Sequence, residues 1–129
     1  GMRDGKPTAV LLTRGDRYAA ELLEELRERT PGIRILCAGK LPSGTAEKLS
    51  LRDALAPAER RGRGNAYARG GWWLHDRILT DTALTVIRAD VFARRDLLDP
   101  RSGTPLPTYR RQRYTGGIGR YFPIFLYIK

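Results

Sequence analysis

Between Arg17 and Arg29 the chain reads Arg-Tyr-Ala-Ala-Glu-Leu-Leu-Glu-Glu-Leu-Arg-Glu-Arg, with Tyr18, Leu22, Leu23 and Leu26 at helical spacing. Glu21, Glu24, Glu25 and Glu28 share the other face with Arg27 and Arg29, which gives one side to a core and one to water. Asp16 is positioned as an N-cap, since its carboxylate can accept from first-turn amides that lack an intrahelical partner. Thr30-Pro31-Gly32 ends the helix: the residue before proline is pushed out of helical backbone, and glycine permits a left-handed exit. Apolar runs at 8–13 and 33–38 flank this helix and read as strands. The expected fold is one α+β domain, an antiparallel sheet covered by this helix and a second.

The richest β signal lies in residues 71–98. Trp72, Leu74 and Ile78 fall on even positions, Thr80-Asp81-Thr82 breaks the run, and Leu84 to Val91 resumes an alternating pattern. Two runs rich in aromatic and β-branched residues around a polar break predict an antiparallel hairpin. Residues 45–61 admit two readings, a helix lined by Leu49, Leu51 and Leu55 or a short strand at Leu49-Ser50-Leu51 followed by a helix. Residues 60–64, Arg-Arg-Gly-Arg-Gly, have no apolar period and read as an exposed loop. Residues 99–107 are turn material, and 121–128 form a closing strand with Pro123 near its start or at a sheet edge.

A chain of 129 residues, 41% of them hydrophobic, suits one folded domain, with residues 1–7 as a flexible tail. No apolar stretch approaches the roughly 18 residues of a membrane span, so no membrane role is expected. No secretory pattern is evident, and the expected location is cytoplasmic. The single cysteine, Cys37, lies in an apolar run and reads as a buried strand residue. Net charge is +10, from 24 basic against 14 acidic residues, and every glutamate lies at or before Glu59. That balance suits nucleic acid or small anions as partners; oligomeric state is not encoded in it.

Three motifs could carry chemistry. His75-Asp76-Arg77 holds the only histidine, and on a strand His75 and Arg77 would face one side with Asp76 on the other. The triplet is similar to one in single-motif relatives of the phospholipase D fold, whose histidine attacks phosphorus. That chemistry needs a lysine or second polar partner shortly downstream, and none is evident, the next lysine being Lys129. No second His or Cys stands at ligand spacing, so no metal is implied. The second motif, Gly116-Gly117-Ile118-Gly119-Arg120, offers backbone amides and a planar donor fork to an anion, but it is neither a Walker loop nor a dinucleotide fingerprint. In the third, Arg110, Arg111 and Arg113 stand between Tyr109 and Tyr114, a mix of charge and stacking surface that suits single-stranded nucleic acid.

The order of these pieces resembles the chorismate lyase (chorismate–pyruvate lyase) family over about residues 8–122. The likeness rests on Leu11-Leu12-Thr13-Arg14-Gly15-Asp16 leading into the helix, and on Trp73-Leu74 followed by Arg77-Ile78-Leu79. It continues through Ala89-Asp90-Val91-Phe92, Arg95-Asp96-Leu97-Leu98 and Gly117-Ile118-Gly119-Arg120-Tyr121. The resemblance implies an antiparallel sheet with flanking helices around a pocket, and elimination of pyruvate from chorismate to leave 4-hydroxybenzoate, with no cofactor. By position, Arg77 would clamp the substrate carboxylate, a role that His75 takes if the alignment shifts. Ile118, Gly119 and Arg120 would border the bound aromatic acid, and Tyr18 would close the pocket. The family's general acid is a glutamate on a late strand, and no glutamate follows Glu59 here. Asp76 and Asp90 are the carboxylates expected on the sheet near Arg77. The first expectation is thus a binder of a small anionic aromatic or enolpyruvyl carboxylate, with lyase chemistry as its catalytic form. The alternative is a basic nucleic-acid-binding domain without catalysis.

Overall fold

The strand–helix–strand opening is present as β1 (Thr8–Arg14), α1 (Arg17–Arg29) and β2 (Arg34–Lys40). They belong to a computed structural model that describes residues 7–14, 17–106, 109–110, 112–114 and 121–129. The capping role expected of Asp16 falls outside those residues. The chain is α+β with mostly antiparallel pairing, but β1 and β2 are parallel, from Thr8 opposite Arg34 to Arg14 opposite Lys40. The helix between them is the reason, since strands joined by a crossover rather than a tight turn can run in the same direction. Gly39 has φ of +140°, and a Cβ there would overlap the Thr13 carbonyl oxygen, so only glycine lets the two backbones approach at this point.

Residues 45–61 follow neither sequence reading as stated: the left-handed backbone of Ser50, at φ +55°, stops a helix there, and the strand lies at 52–53 rather than 49–51. A short helix α2 (Thr45–Leu49) precedes a two-residue strand β3 (Arg52–Asp53) and a second short helix α3 (Ala56–Arg60). Next come β4 (Ala66–Ala68), β5 (Gly71–Trp73), β6 (Arg77–Thr80) and β7 (Val86–Val91). A 3₁₀ turn at Arg95–Leu97 is followed by β8 (Tyr109–Arg110), β9 (Arg113–Tyr114) and β10 (Ile124–Ile128). Among the described residues, no helix is long and apolar enough to cross a membrane.

The hairpin expected across residues 71–98 does not form. Strand order in the main sheet is β1-β2-β6-β3, so both edges of β6 are already taken, by β2 on one side and β3 on the other. β7 pairs instead with β10. The polar break does turn the chain, with the Leu84 amide donating to the Asp81 carbonyl and the Ala83 amide to the Asp81 carboxylate. A turn cannot force pairing onto a strand with no open edge. β5 in turn pairs backwards with β4 through the two-residue link Arg69-Gly70, whose φ values of +51° and +79° are those a type I′ turn demands.

Contacts divide the chain into two compact units: residues 1–55, 76–88 and 126–129, and residues 56–75 and 89–125. In the first, Leu11, Ala19, Leu23, Ile35, Cys37, Leu41, Leu49, Leu51 and Leu79 form one apolar core. Ala19 and Leu23 are the core-facing residues of α1, with Leu26 partly buried, whereas Tyr18 and Leu22 are exposed. The buried stripe therefore runs at 19, 23 and 26, one position round from the one read off the larger side chains. Each fully buried Leu or Ile contributes about 1.5–3 kcal/mol. Cys37 is fully buried as expected, and burial pushes its thiol up from 9.0, which leaves it inert at neutral pH.

Candidate functional site

The His75-Asp76-Arg77 triplet is not one strand. His75 and Asp76 lie in a bend between β5 and β6, and the strand starts at Arg77, so the expected alternation of faces does not apply. Arg77 is buried in the first unit, and its Nη1 donates to Asp53 Oδ2 at 2.8 Å. Asp53 is held for this by its neighbours: its other carboxylate oxygen accepts from the Leu55 amide at 2.9 Å. The anion in contact with Arg77 is thus a carboxylate of its own chain. Asp76 is half-buried in the same unit, and Tyr18 stands on the outer face of α1, 71% exposed, with the Arg17 guanidinium 6.0 Å from its ring centre. Ile118, Gly119 and Arg120 lie outside the described residues.

His75 and Asp90 belong to the second unit, where the structure assembles most of its rings and arginines. By sequence this unit carries eleven of the twenty arginines against four acidic residues, and nine of the eleven aromatic residues. Its organiser is Asn65, fully buried and not singled out by the sequence reading. The Asn65 side-chain amide donates to the Phe122 carbonyl at 3.2 Å, and its side-chain oxygen accepts from the His75 amide at 2.7 Å. Its backbone exchanges two further bonds, donating to Trp73 and accepting from Phe122. Beside it, a Cβ on Gly64 would come within 2.5 Å of the Trp73 amide nitrogen, so glycine is what lets this loop pass β5 so closely.

That scaffold presents rings on both faces of the β4–β5 hairpin, because Trp72 and Trp73 are adjacent on a strand and point opposite ways. Trp72 stacks on Phe122 at 5.6 Å and 20°, and meets Tyr67, its cross-strand partner, edge-on at 5.3 Å. Trp73 meets His75 edge-on at 5.4 Å, and the His75 ring stacks flat on Tyr121 at 3.9 Å and 13°. Trp72 and Trp73 remain 38% and 45% exposed, so each keeps indole surface open to a partner. His75 is thus a member of an aromatic stack.

The loop at 60–64 is exposed at its arginines, as expected, but it is also tethered. Arg63 Nε donates to Asp90 Oδ1 at 2.6 Å, and Arg63 Nη2 donates to the Val91 carbonyl at 3.2 Å. Arg61 stands 3.7 Å from the other Asp90 oxygen. Burial works against the Asp90 charge, yet the Val91 amide and the guanidinium groups of Arg63 and Arg61 outweigh it. Together they hold the carboxyl below its ordinary 3.8. Asp90 is therefore ionised at neutral pH, with no proton to donate as a general acid. Next to this pair is a cavity of about 230 Å³ lined by Gly62, Arg63, Gly64, Trp72, Val91, Ala93, Leu98 and Phe122.

Of the tyrosine–arginine segment, the described residues pair antiparallel, Tyr109 with Tyr114 and Arg110 with Arg113. Arg60, Arg61, Arg63, Arg69, Arg94, Arg101 and Arg113 are all exposed. Arg94 forms a two-bond pair with Asp96, at 3.0 and 2.9 Å. Among the described residues, no group of three or more His, Cys, Asp or Glu side chains could hold a metal ion. No family model, curated protein or solved structure matches this chain.

Proposed function

We propose that the protein binds single-stranded nucleic acid, without catalysis, through its second unit. The reading is carried by one coincidence: the arginine excess and the half-exposed indoles of Trp72 and Trp73 fall in the same 57 residues, which hold eleven arginines and nine aromatic rings. Guanidinium groups engage phosphates whatever the sequence, while rings stack on unpaired bases at about 1–3 kcal/mol per base. Duplex DNA offers the phosphates but keeps its bases stacked, so it engages only half of this surface.

The test is fluorescence anisotropy with a labelled oligothymidylate and a duplex of equal length, across a salt series. Expected are tighter binding of the single strand and a log–log salt slope of about −0.7 for each phosphate contacted. Replacing Arg60 and Arg69 with alanine flattens that slope. Absence of binding at roughly 50 mM salt, or a salt-independent affinity, would overturn the reading.

Carboxylate binding of the chorismate-lyase kind is a second reading, and a single contact favours it. The Arg77 guanidinium already holds a carboxylate, that of Asp53, so its chemistry suits such a group. A substrate carboxylate would have to displace Asp53. Release of 4-hydroxybenzoate from chorismate, followed by absorbance, tests it directly; absence of both product and thermal stabilisation by chorismate sinks it.

A further inference from the structure

We infer that the cavity beside the Arg63–Asp90 pair is a base pocket, which takes one unstacked nucleobase of the bound strand. This rests on the single-strand reading and sharpens it, from a surface that tolerates any strand to a defined seat for one ring system.

The size comes first. At about 230 Å³ the cavity is below the roughly 300–1,000 Å³ typical of drug-sized ligands, but it holds the equivalent of seven or eight waters at about 30 Å³ each. A one- or two-ring heterocycle matches that space; a dinucleotide does not. The walls come second. Trp72 and Phe122, stacked on each other, supply a flat aromatic side, and Val91, Ala93 and Leu98 supply apolar contact. Arg63 adds a planar cation whose Nε and Nη2 are bonded to Asp90 and the Val91 carbonyl, so its plane is fixed before any ligand arrives. A guanidinium plane stacks on bases as aromatic rings do. Finally, Gly62 and Gly64 line the pocket with backbone alone, so no side chain from either position occupies the space, and the Gly62 amide is held by the Glu59 carbonyl at 2.9 Å. Aromatic lining, a fixed planar cation and glycine walls together suit a heterocycle better than an aliphatic chain.

Asp90 fits the same picture as a positioning residue. Its carboxylate sets the Arg63 plane and carries no contact with the base.

Three strands and two variants test the pocket by anisotropy. The strands are oligothymidylate, a fully abasic strand of equal length, and the abasic strand with a single thymine restored. Wild type should bind oligothymidylate about tenfold or more above the abasic strand, and the single thymine should recover a measurable part of that difference. Ala93 is exposed at the rim, so Ala93→Leu fills the cavity from a position that tolerates added bulk, while Ala83→Leu adds the same bulk at an exposed residue outside the lining. Ala93→Leu should abolish the gain from the single thymine without changing the salt slope, and Ala83→Leu should keep it. Unchanged near-ultraviolet circular dichroism verifies the fold of both variants. The pocket is refuted, with the single-strand reading intact, if Ala93→Leu still recognises the lone thymine or if wild type never does. If none of the three strands binds wild type at low salt, both proposals fall.

Discussion

The two units solve the problem of cohesion by different means. The first has a continuous apolar core across α1, β2 and β6, with Leu23, Ile35, Cys37 and Leu79 essentially without exposure. Its charges are nearly balanced, and its buried cation, Arg77, is matched by Asp53. The second is arginine-rich, places a fully buried asparagine at its centre and leaves its largest rings part-exposed. Burying Asn65 is tolerable only because its side-chain amide and carbonyl both find backbone partners. A hydrogen-bonded centre frees the rings for the outside. The single-strand proposal assigns recognition to the second unit and leaves the first as its framework.

The contrast can be broken at several points. Leu79→Ala, in the central strand of the first unit, should destabilise by roughly 2–5 kcal/mol through the cavity it leaves, read as a lower urea midpoint. A cost under about 1 kcal/mol would mean that the apolar core is not the framework. Asn65→Leu should cost about 2–3 kcal/mol, because the His75 amide and the Phe122 carbonyl both lose their partner. Its signature is loss of the near-ultraviolet signal of the tryptophans, which an apolar centre would have retained or strengthened.

Asp90 gives a smaller effect with a definite pH dependence. Its folded pKa lies below the unfolded 3.8, so its stabilising contribution is complete well above 3.8 and is lost as pH falls through that value towards the folded one. Asp90→Asn should therefore cost about 1 kcal/mol at neutral pH and remove that part of the acid dependence, a difference that closes at low pH. The smallest effect on stability belongs to Arg60→Ala, within about 0.5 kcal/mol, while the strand-binding salt slope drops by about 0.7 if Arg60 contacts one phosphate. A residue that matters to binding and not to folding is what the division into framework and recognition requires.

How far the sequence reached follows from the range of the interactions. α1 was legible to its ends because thirteen residues of helical period are a local signal. Its buried face was misjudged by one position because Ala19, a small residue, carries as much burial as a leucine without announcing it. The partner of β6 was not legible at all, since that choice is made by β2, some forty residues earlier, and by β3. The Arg69-Gly70 turn lacked the Asn or Asp that usually precedes glycine in such links. In the candidate site, the arginine excess and the rings were visible as composition. The pairing of Arg63 with Asp90, 27 residues away, and the role of Asn65 were not, because nothing local distinguishes a buried asparagine from a loop one.

The position of β6 also has a consequence in time. β1, α1 and β2 can form as soon as residue 40 is available, but β2 then presents the edge from Leu36 to Gly39 with no strand beside it. The segment that covers it, Arg77 to Thr80, is made only after thirty-six further residues have been added. Closing so long a loop slows folding and leaves an apolar edge open to other chains meanwhile. A chain interrupted before Thr80 lacks the strand that covers this edge, and a chain in which Arg77 to Thr80 is free to pair has it closed.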